Sequence, residues 1–156
     1  MMALEIRKGL ALEVVPALLE WANAGGEAFM KRFSGPKWRY PLTPEQLAPE
    51  VADIFSICAD GACVGILQQV ARHEHSVHLG RFLIDPDRRG QGLGNMALSL
   101  MCRALFDDPA IDVISLNVYL DNPSARRCYE RCGFRVTQIN PEWNNCRMEL
   151  TRAGRG

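Results

Sequence analysis

Arg88-Arg89-Gly90-Gln91-Gly92-Leu93-Gly94 sets two arginines against three glycines at alternate positions. Glycine leaves the backbone N–H groups uncovered, so a chain of anionic oxygens can approach them closely. If a helix starts here, its unpaired first-turn amides and the positive end of its dipole favour the same charge. Arg88 and Arg89 add mobile cationic side chains beside this nest. A diphosphate is the ligand such a stretch suits.

Two classes of diphosphate compete. Gly92-Leu93-Gly94-Asn95-Met96-Ala97 satisfies the dinucleotide pattern G-x-G-x-x-A, with Asp112 twenty residues on. A dinucleotide turn follows its strand directly and opens a βαβ unit. Here seven residues, with two arginines and a proline among them, separate Ile84 from Gly92, and most of the chain precedes the motif. The other spacing is Arg89-x-x-Gly92-x-Gly94 after Ile84-Asp85-Pro86. Downstream stands Asn122-Pro123-Ser124-Ala125-Arg126-Arg127-Cys128-Tyr129-Glu130-Arg131-Cys132-Gly133-Phe134. The first block resembles the acetyl-CoA signature R/Q-x-x-G-x-G/A of the GNAT N-acetyltransferase superfamily. The second resembles that family's N-x-x-A-x-x-x-Y-x-x-x-G-F segment. Both stand in family order at roughly family separation, and the resemblance is densest over residues 76–136.

The resemblance implies a co-substrate, acetyl-CoA, and a set of residues to hold it. Backbone groups of Phe82, Leu83 and Ile84 would pair with the pantetheine arm. Arg88, Arg89, Gly90, Gln91, Gly92, Leu93, Gly94 and Asn95 would hold the diphosphate, with Asn122 and Ser124 at the second motif. Asn122 is equally suited to cap a helix. Tyr129 matches the family's tyrosine near the thioester sulfur, a general acid whose ordinary pKa of about 10 keeps it protonated at neutral pH. His78 stands where some members carry a base, and an imidazole titrating near 6.5 suits that work. His73, Glu74 and His75 are weaker alternatives. Cys128 has no His or acid at a spacing that would activate it, so a covalent acyl-enzyme is not expected. The implied reaction is direct attack by a primary amine, small molecule or peptide N-terminus, in a ternary complex without a metal. The alternative is a non-catalytic acyl-CoA-binding sensor.

Phe33, Trp38 and Tyr40, interleaved with Lys31, Arg32, Lys37 and Arg39, stand where the resemblance implies the acceptor side of the cleft. They are candidates for acceptor contact or, equally, for ordinary packing of a loop against the sheet. Glu142 and Trp143 are further candidates for the acceptor side. The basic pairs lean towards an acceptor carrying a carboxylate or phosphate. An aromatic–basic mixture also suits single-stranded nucleic acid, but one such segment on a neutral chain is poor support.

The elements that must position these residues follow from periodicity and punctuation. A short strand is expected at Leu4–Arg7. Leu12, Val15, Leu18, Leu19 and Ala22 make a helical stripe across Leu10–Ala24, with Pro16 as a possible start and Gly25-Gly26 as the stop. Phe29–Pro49 resists assignment apart from Thr43-Pro44-Glu45-Gln46-Leu47, which reads as an N-cap, a first-turn proline and a short helix. Ile54–Cys58 and Cys63–Ala71 form a hairpin around Asp60-Gly61. Val77–Ile84 follows the polar turn at His73-Glu74-His75. Met96–Phe106 is helical, Ile111–Val118 extended, Ser124–Arg131 helical, and Phe134–Ile139 with Cys146–Leu150 a closing hairpin. Together with these elements, the resemblance implies an α/β (α+β type) GNAT fold, with a mixed, mostly antiparallel twisted sheet of about six to seven strands and about four flanking helices. One domain over 1–150 and a disordered tail over 151–156 complete it.

Composition bounds the rest. With 156 residues and 47% hydrophobic content the chain can build a sizeable core. Lys plus Arg and Asp plus Glu number 18 each, which gives no nucleic-acid footprint. No apolar run suits a membrane span and no signal-peptide layout opens the chain, so a cytoplasmic protein is expected, with monomer and homodimer both open. The six cysteines contain no C-x-x-C and read as reduced thiols.

Overall fold

A computed structural model describes residues 3–35 and 37–153. The order is β1 (Leu4–Lys8), a 3-10 turn (Leu12–Val14), α1 (Val15–Ala24), α2 (Gly26–Ser34), α3 (Pro44–Leu47), β2 (Ile54–Ala59) and β3 (Ala62–Arg72). Then come β4 (Ser76–Ile84), α4 (Leu93–Phe106), β5 (Val113–Tyr119), α5 (Pro123–Arg131), β6 (Arg135–Asn140) and β7 (Asn145–Thr151). The strands form one seven-stranded sheet in the order β1-β2-β3-β4-β5-β7-β6. β4 and β5 pair parallel, at Ser76–Val113, Val77–Ile114 and His78–Ser115. The α4 crossover is what a parallel pair requires.

By compactness the chain divides into two units: the chain up to Gln69 with Gly80–Leu93, and Val70–Leu79 with the chain from Gly94 on. In the first, β2 and β3 meet at a two-residue turn in which Asp60 (φ 51°) and Gly61 (φ 87°) both take left-handed backbone, as an Asp-Gly hairpin demands. Gly65 of β3 allows close approach to β4, since a Cβ there would lie 2.4 Å from the Leu83 carbonyl oxygen. The core of this unit gathers Leu18 and Ala22 of α1, Met30 of α2, Trp38, Leu42, Leu47, Ile54, Ile66 and Leu83. Each large aliphatic side chain so buried contributes about 1.5–3 kcal/mol.

The segment that resisted assignment contains a second helix. Gly26 (φ 84°) ends one helix and starts the next, so Gly25-Gly26 is a corner between α1 and α2. Downstream, Thr43 Oγ1 accepts from the Gln46 amide at the start of α3, as the cap motif requires.

In the second unit β7 lies between β5 and β6, antiparallel to both. Val77, Ile114, Met148 and Leu150 from the strands and Ala97, Leu98 and Met101 from α4 are buried. The expectation of a disordered tail from 151 needs correction. Thr151 closes β7. Arg152 donates to the carbonyl of Phe106, the last residue of α4, and to that of Asp108 in the turn that follows, at 2.9 Å each. Residues 154–156 lie outside the described residues.

Candidate functional site

The glycine-rich stretch leaves β4 through Asp85, whose carboxylate accepts from the Asp87 amide at 2.9 Å and starts a 3-10 turn over Pro86–Arg88. Gly90 (φ 81°) and Gly92 (φ 77°) are both left-handed, and a Cβ on either would meet nothing within 4 Å. These glycines are therefore required by backbone conformation, and the space above them is open to a ligand. Arg88 donates from Nε to Gln91 Oε1 at 3.1 Å, and the Arg89 guanidinium stands 5.2 Å from the centre of the Phe29 ring. Leu93 is buried and opens α4, so the loop runs straight into a helix N-terminus. This is the donor set a diphosphate needs.

Just ahead of the loop, Arg81 has a left-handed backbone (φ 48°) in the middle of β4. Its side chain is 6% exposed, between the buried Leu79 and Leu83. The sequence reading passed over this residue. The available signal was an arginine at an inward position of an alternating strand.

In the second unit, Asn122 is the N-cap of α5, its side-chain oxygen accepting from the Ala125 amide at 3.3 Å. Ser124 is exposed in the first turn of α5. Tyr129 sits in the last turns of α5, its ring 6.4 Å from that of Phe134. Burial, with smaller contributions from Cys128 and Cys132, pushes its hydroxyl well above the usual phenol value. The phenol is held in its protonated form, as a proton donor must be.

The side chain of Asn95, assigned to the co-substrate by resemblance, faces α5. Its Oδ1 accepts from Cys132 Sγ at 3.1 Å and from Cys128 Sγ at 3.6 Å. The closeness of the two thiols pulls Cys132 down to about 6 and pushes Cys128 up. All six cysteines are free. His78 is half-buried, with Nδ1 2.7 Å from Ser115 Oγ, and burial, then Arg147, lowers its pKa. His75 lies 3.0 Å from the Ala110 carbonyl and 4.0 Å from the Asp112 carboxylate.

The aromatic candidates separate. Trp38 is 5% exposed, with the Arg81 guanidinium 3.9 Å from its ring centre, so its indole is an internal wall and offers no face to an acceptor. Phe33 packs against the same core and on Phe29, centroids 5.4 Å apart. Tyr40 is 45% exposed and Trp143 70%, so these remain available for contact. Lys37 is engaged with Glu50 at 2.9 Å.

The family model described as the acetyltransferase (GNAT) family matches residues 15–134, which crosses both units. The chain belongs to this family. By that family it is an N-acetyltransferase. Solved structures share the fold at low identity. The aminoglycoside acetyltransferase AAC(6')-Ib, in complex with coenzyme A and kanamycin, is 20% identical with a TM-score of 0.69, over 97% of this chain and 96% of that one. The spermidine N-acetyltransferase of Vibrio cholerae, in complex with CoA and spermine, is 20% identical with a TM-score of 0.75, over 97% of each chain. A GNAT-family acetyltransferase of Bacillus anthracis is 18% identical with a TM-score of 0.77, over 95% and 94%. Among the described residues, no helix is long and apolar enough to cross a membrane, and no cluster of three or more His, Cys, Asp or Glu could hold a metal ion.

Proposed function

We propose that this protein acetylates a primary amine of a small molecule by direct attack on bound acetyl-CoA. The observation that carries the reading is the left-handed, open-faced loop at Gly90 and Gly92 feeding the N-terminus of α4. In this reading its amides, with Arg88 and Arg89, take the diphosphate. Phe82, Leu83 and Ile84 lie beyond the three β4 positions that pair with β5, and they would take the pantetheine arm.

The chemistry falls to two side chains. Tyr129, held protonated by its burial, would return a proton to the departing thiolate. His78, held neutral by its burial, would take the proton that the neutral amine sheds as it attacks the thioester carbonyl, directly or through water. Its hydrogen bond with Ser115 fixes the ring, leaving Nε2 as the working atom if Nδ1 carries the proton.

A small cationic amine fits better than the anionic acceptor suggested by the basic pairs. Two neighbours of the same fold are named for polyamine or aminoglycoside acetylation, and Lys37 is engaged with Glu50, a carboxylate it shares with Arg81. The free thiols suit a reducing, cytosolic compartment. The test is intact-mass detection of product from acetyl-CoA and a pooled library of amines and peptides. Acetylated polyamine-like or aminoglycoside-like products are expected. Acetylation of peptides alone would overturn the acceptor class. A complete absence of product, with acetyl-CoA still raising the melting temperature, would favour an acyl-CoA sensor.

A further inference from the structure

Arg81 combines two features that rarely meet in one residue. Its backbone is left-handed at φ 48°, which a long L side chain disfavours. Its guanidinium is buried, which is costly unless every donor finds a partner. The partners come from four separate segments of the first unit. Nε donates to the carbonyl of Ser34 at 3.1 Å, at the C-terminal end of α2 where a cation is favoured. Nη1 donates to Gln68 Oε1 at 3.0 Å on β3 and pairs with Glu50 Oε1 at 3.4 Å. The plane lies 3.9 Å from the ring centre of Trp38. Gln68 Nε2 in turn donates to Glu50 Oε2 at 3.1 Å, which closes the network.

Packing alone does not call for an arginine here. An apolar side chain of similar volume would fill the inward position between Leu79 and Leu83, and buried ion pairs are commonly replaceable in that way. Strained backbone persists only where its surroundings over-determine it. The strain stands one residue before Phe82-Leu83-Ile84, the stretch given the pantetheine role above.

We propose that Arg81 is a positioning residue for the acyl donor: anchored by Ser34, Gln68, Glu50 and Trp38, it fixes the left-handed step in β4 that presents Phe82, Leu83 and Ile84 to the acetyl-pantetheine arm. The inference rests on the acetyl-CoA reading of the loop. It requires two separable contributions to binding. The diphosphate contribution comes from Gly90, Gly92 and the start of α4. The pantetheine contribution depends on Arg81.

The test compares two ligands, acetyl-CoA and 3′-phospho-ADP, which keeps the nucleotide and diphosphate but lacks the arm. Calorimetric Kd values are taken for wild type, Arg81→Met and Glu50→Gln. In Arg81→Met, acetyl-CoA is expected to weaken about tenfold or more while 3′-phospho-ADP stays within about twofold, since a misplacement near 1 Å has effects of that order or larger. Glu50→Gln keeps the volume and loosens one anchor, so the same selective loss is expected at smaller size; it decides the matter if Arg81→Met does not fold. Equal weakening of both ligands, or no change in either, would overturn the positioning role and leave the acetyl-CoA reading intact. Failure of the wild type to bind either ligand would overturn that reading and this inference with it.

Discussion

Nδ1 of His78 stands 2.7 Å from Oγ of Ser115, the residue opposite it in the parallel β4–β5 ladder. A base can be oriented in this way by its neighbour on the adjoining strand. Burial, with Arg147 nearby, lowers the His78 pKa below its ordinary 6.5.

The sign of the pH effect follows. A histidine whose folded pKa lies below the unfolded value contributes stability that is complete above pH 6.5 and is lost as pH falls through the folded value. His78→Gln should therefore flatten the acid-side loss of melting temperature. If His78 is the base, the variant should also lose about 10²–10⁴-fold in rate. It should lose the acid limb of the kcat/KM profile as well. An unchanged limb would remove His78 from the chemistry.

Tyr129→Phe removes only the hydroxyl. The rate should fall by about 10²–10⁴-fold while acetyl-CoA affinity stays within about threefold. Because the hydroxyl is held above its ordinary value of 10.0, the wild-type rate should show no alkaline limb from this group below pH 10. Single-turnover kinetics across pH would check both.

Gly92→Asp places a carboxylate and a Cβ where the loop is left-handed and open. Acetyl-CoA affinity should fall beyond detection, since charge repulsion and bulk add to the backbone cost. Gly61→Asp is the control. Gly61 has a similar left-handed φ (87°) and open space at the β2–β3 turn, so its stability cost should be comparable while binding is untouched. Equal affinity in Gly92→Asp and wild type would displace the diphosphate from this loop.

Gly65→Ala brings a Cβ to 2.4 Å from the Leu83 carbonyl oxygen, a backbone atom that cannot swing aside. The variant should lose about 1–3 kcal/mol by urea denaturation, the usual range for overpacking. Unchanged stability would mean that β3 and β4 part freely here.

Asn122→Ala should cost about 1 kcal/mol through loss of the α5 cap, and Asn122→Asp should recover it. If Asn122 serves only the helix, acetyl-CoA affinity corrected for folding stays constant in both. A selective loss of affinity in Asn122→Asp would give it a ligand role as well.

Local patterns carried much of the fold in the sequence itself. The Asp60-Gly61 turn, the Thr43-Pro44 cap, the run from Val77 to Ile84 and the helix after Gly92 each depend on residues within a few positions, where φ preference and hydrophobic period act directly. The loop glycines were legible for the same reason, and the Tyr129 segment through its resemblance to the family's motif. Other features depend on residues far apart in the chain. Gly25-Gly26 reads locally as a stop, and only packing of Met30 and Phe29 against the α1 core makes α2. Thr151 and Arg152 read as a tail, yet they close β7 and satisfy carbonyls more than forty residues upstream. Trp38 read equally as an acceptor contact or as loop packing, and its burial beneath the Arg81 guanidinium makes it interior. The anchors of Arg81 lie 13 to 47 residues away, so no local preference encodes them. Sequence determined which groups could bind a diphosphate and move protons; tertiary structure decided which were buried, paired or strained, because burial and pairing are properties of the distant segments brought against each residue.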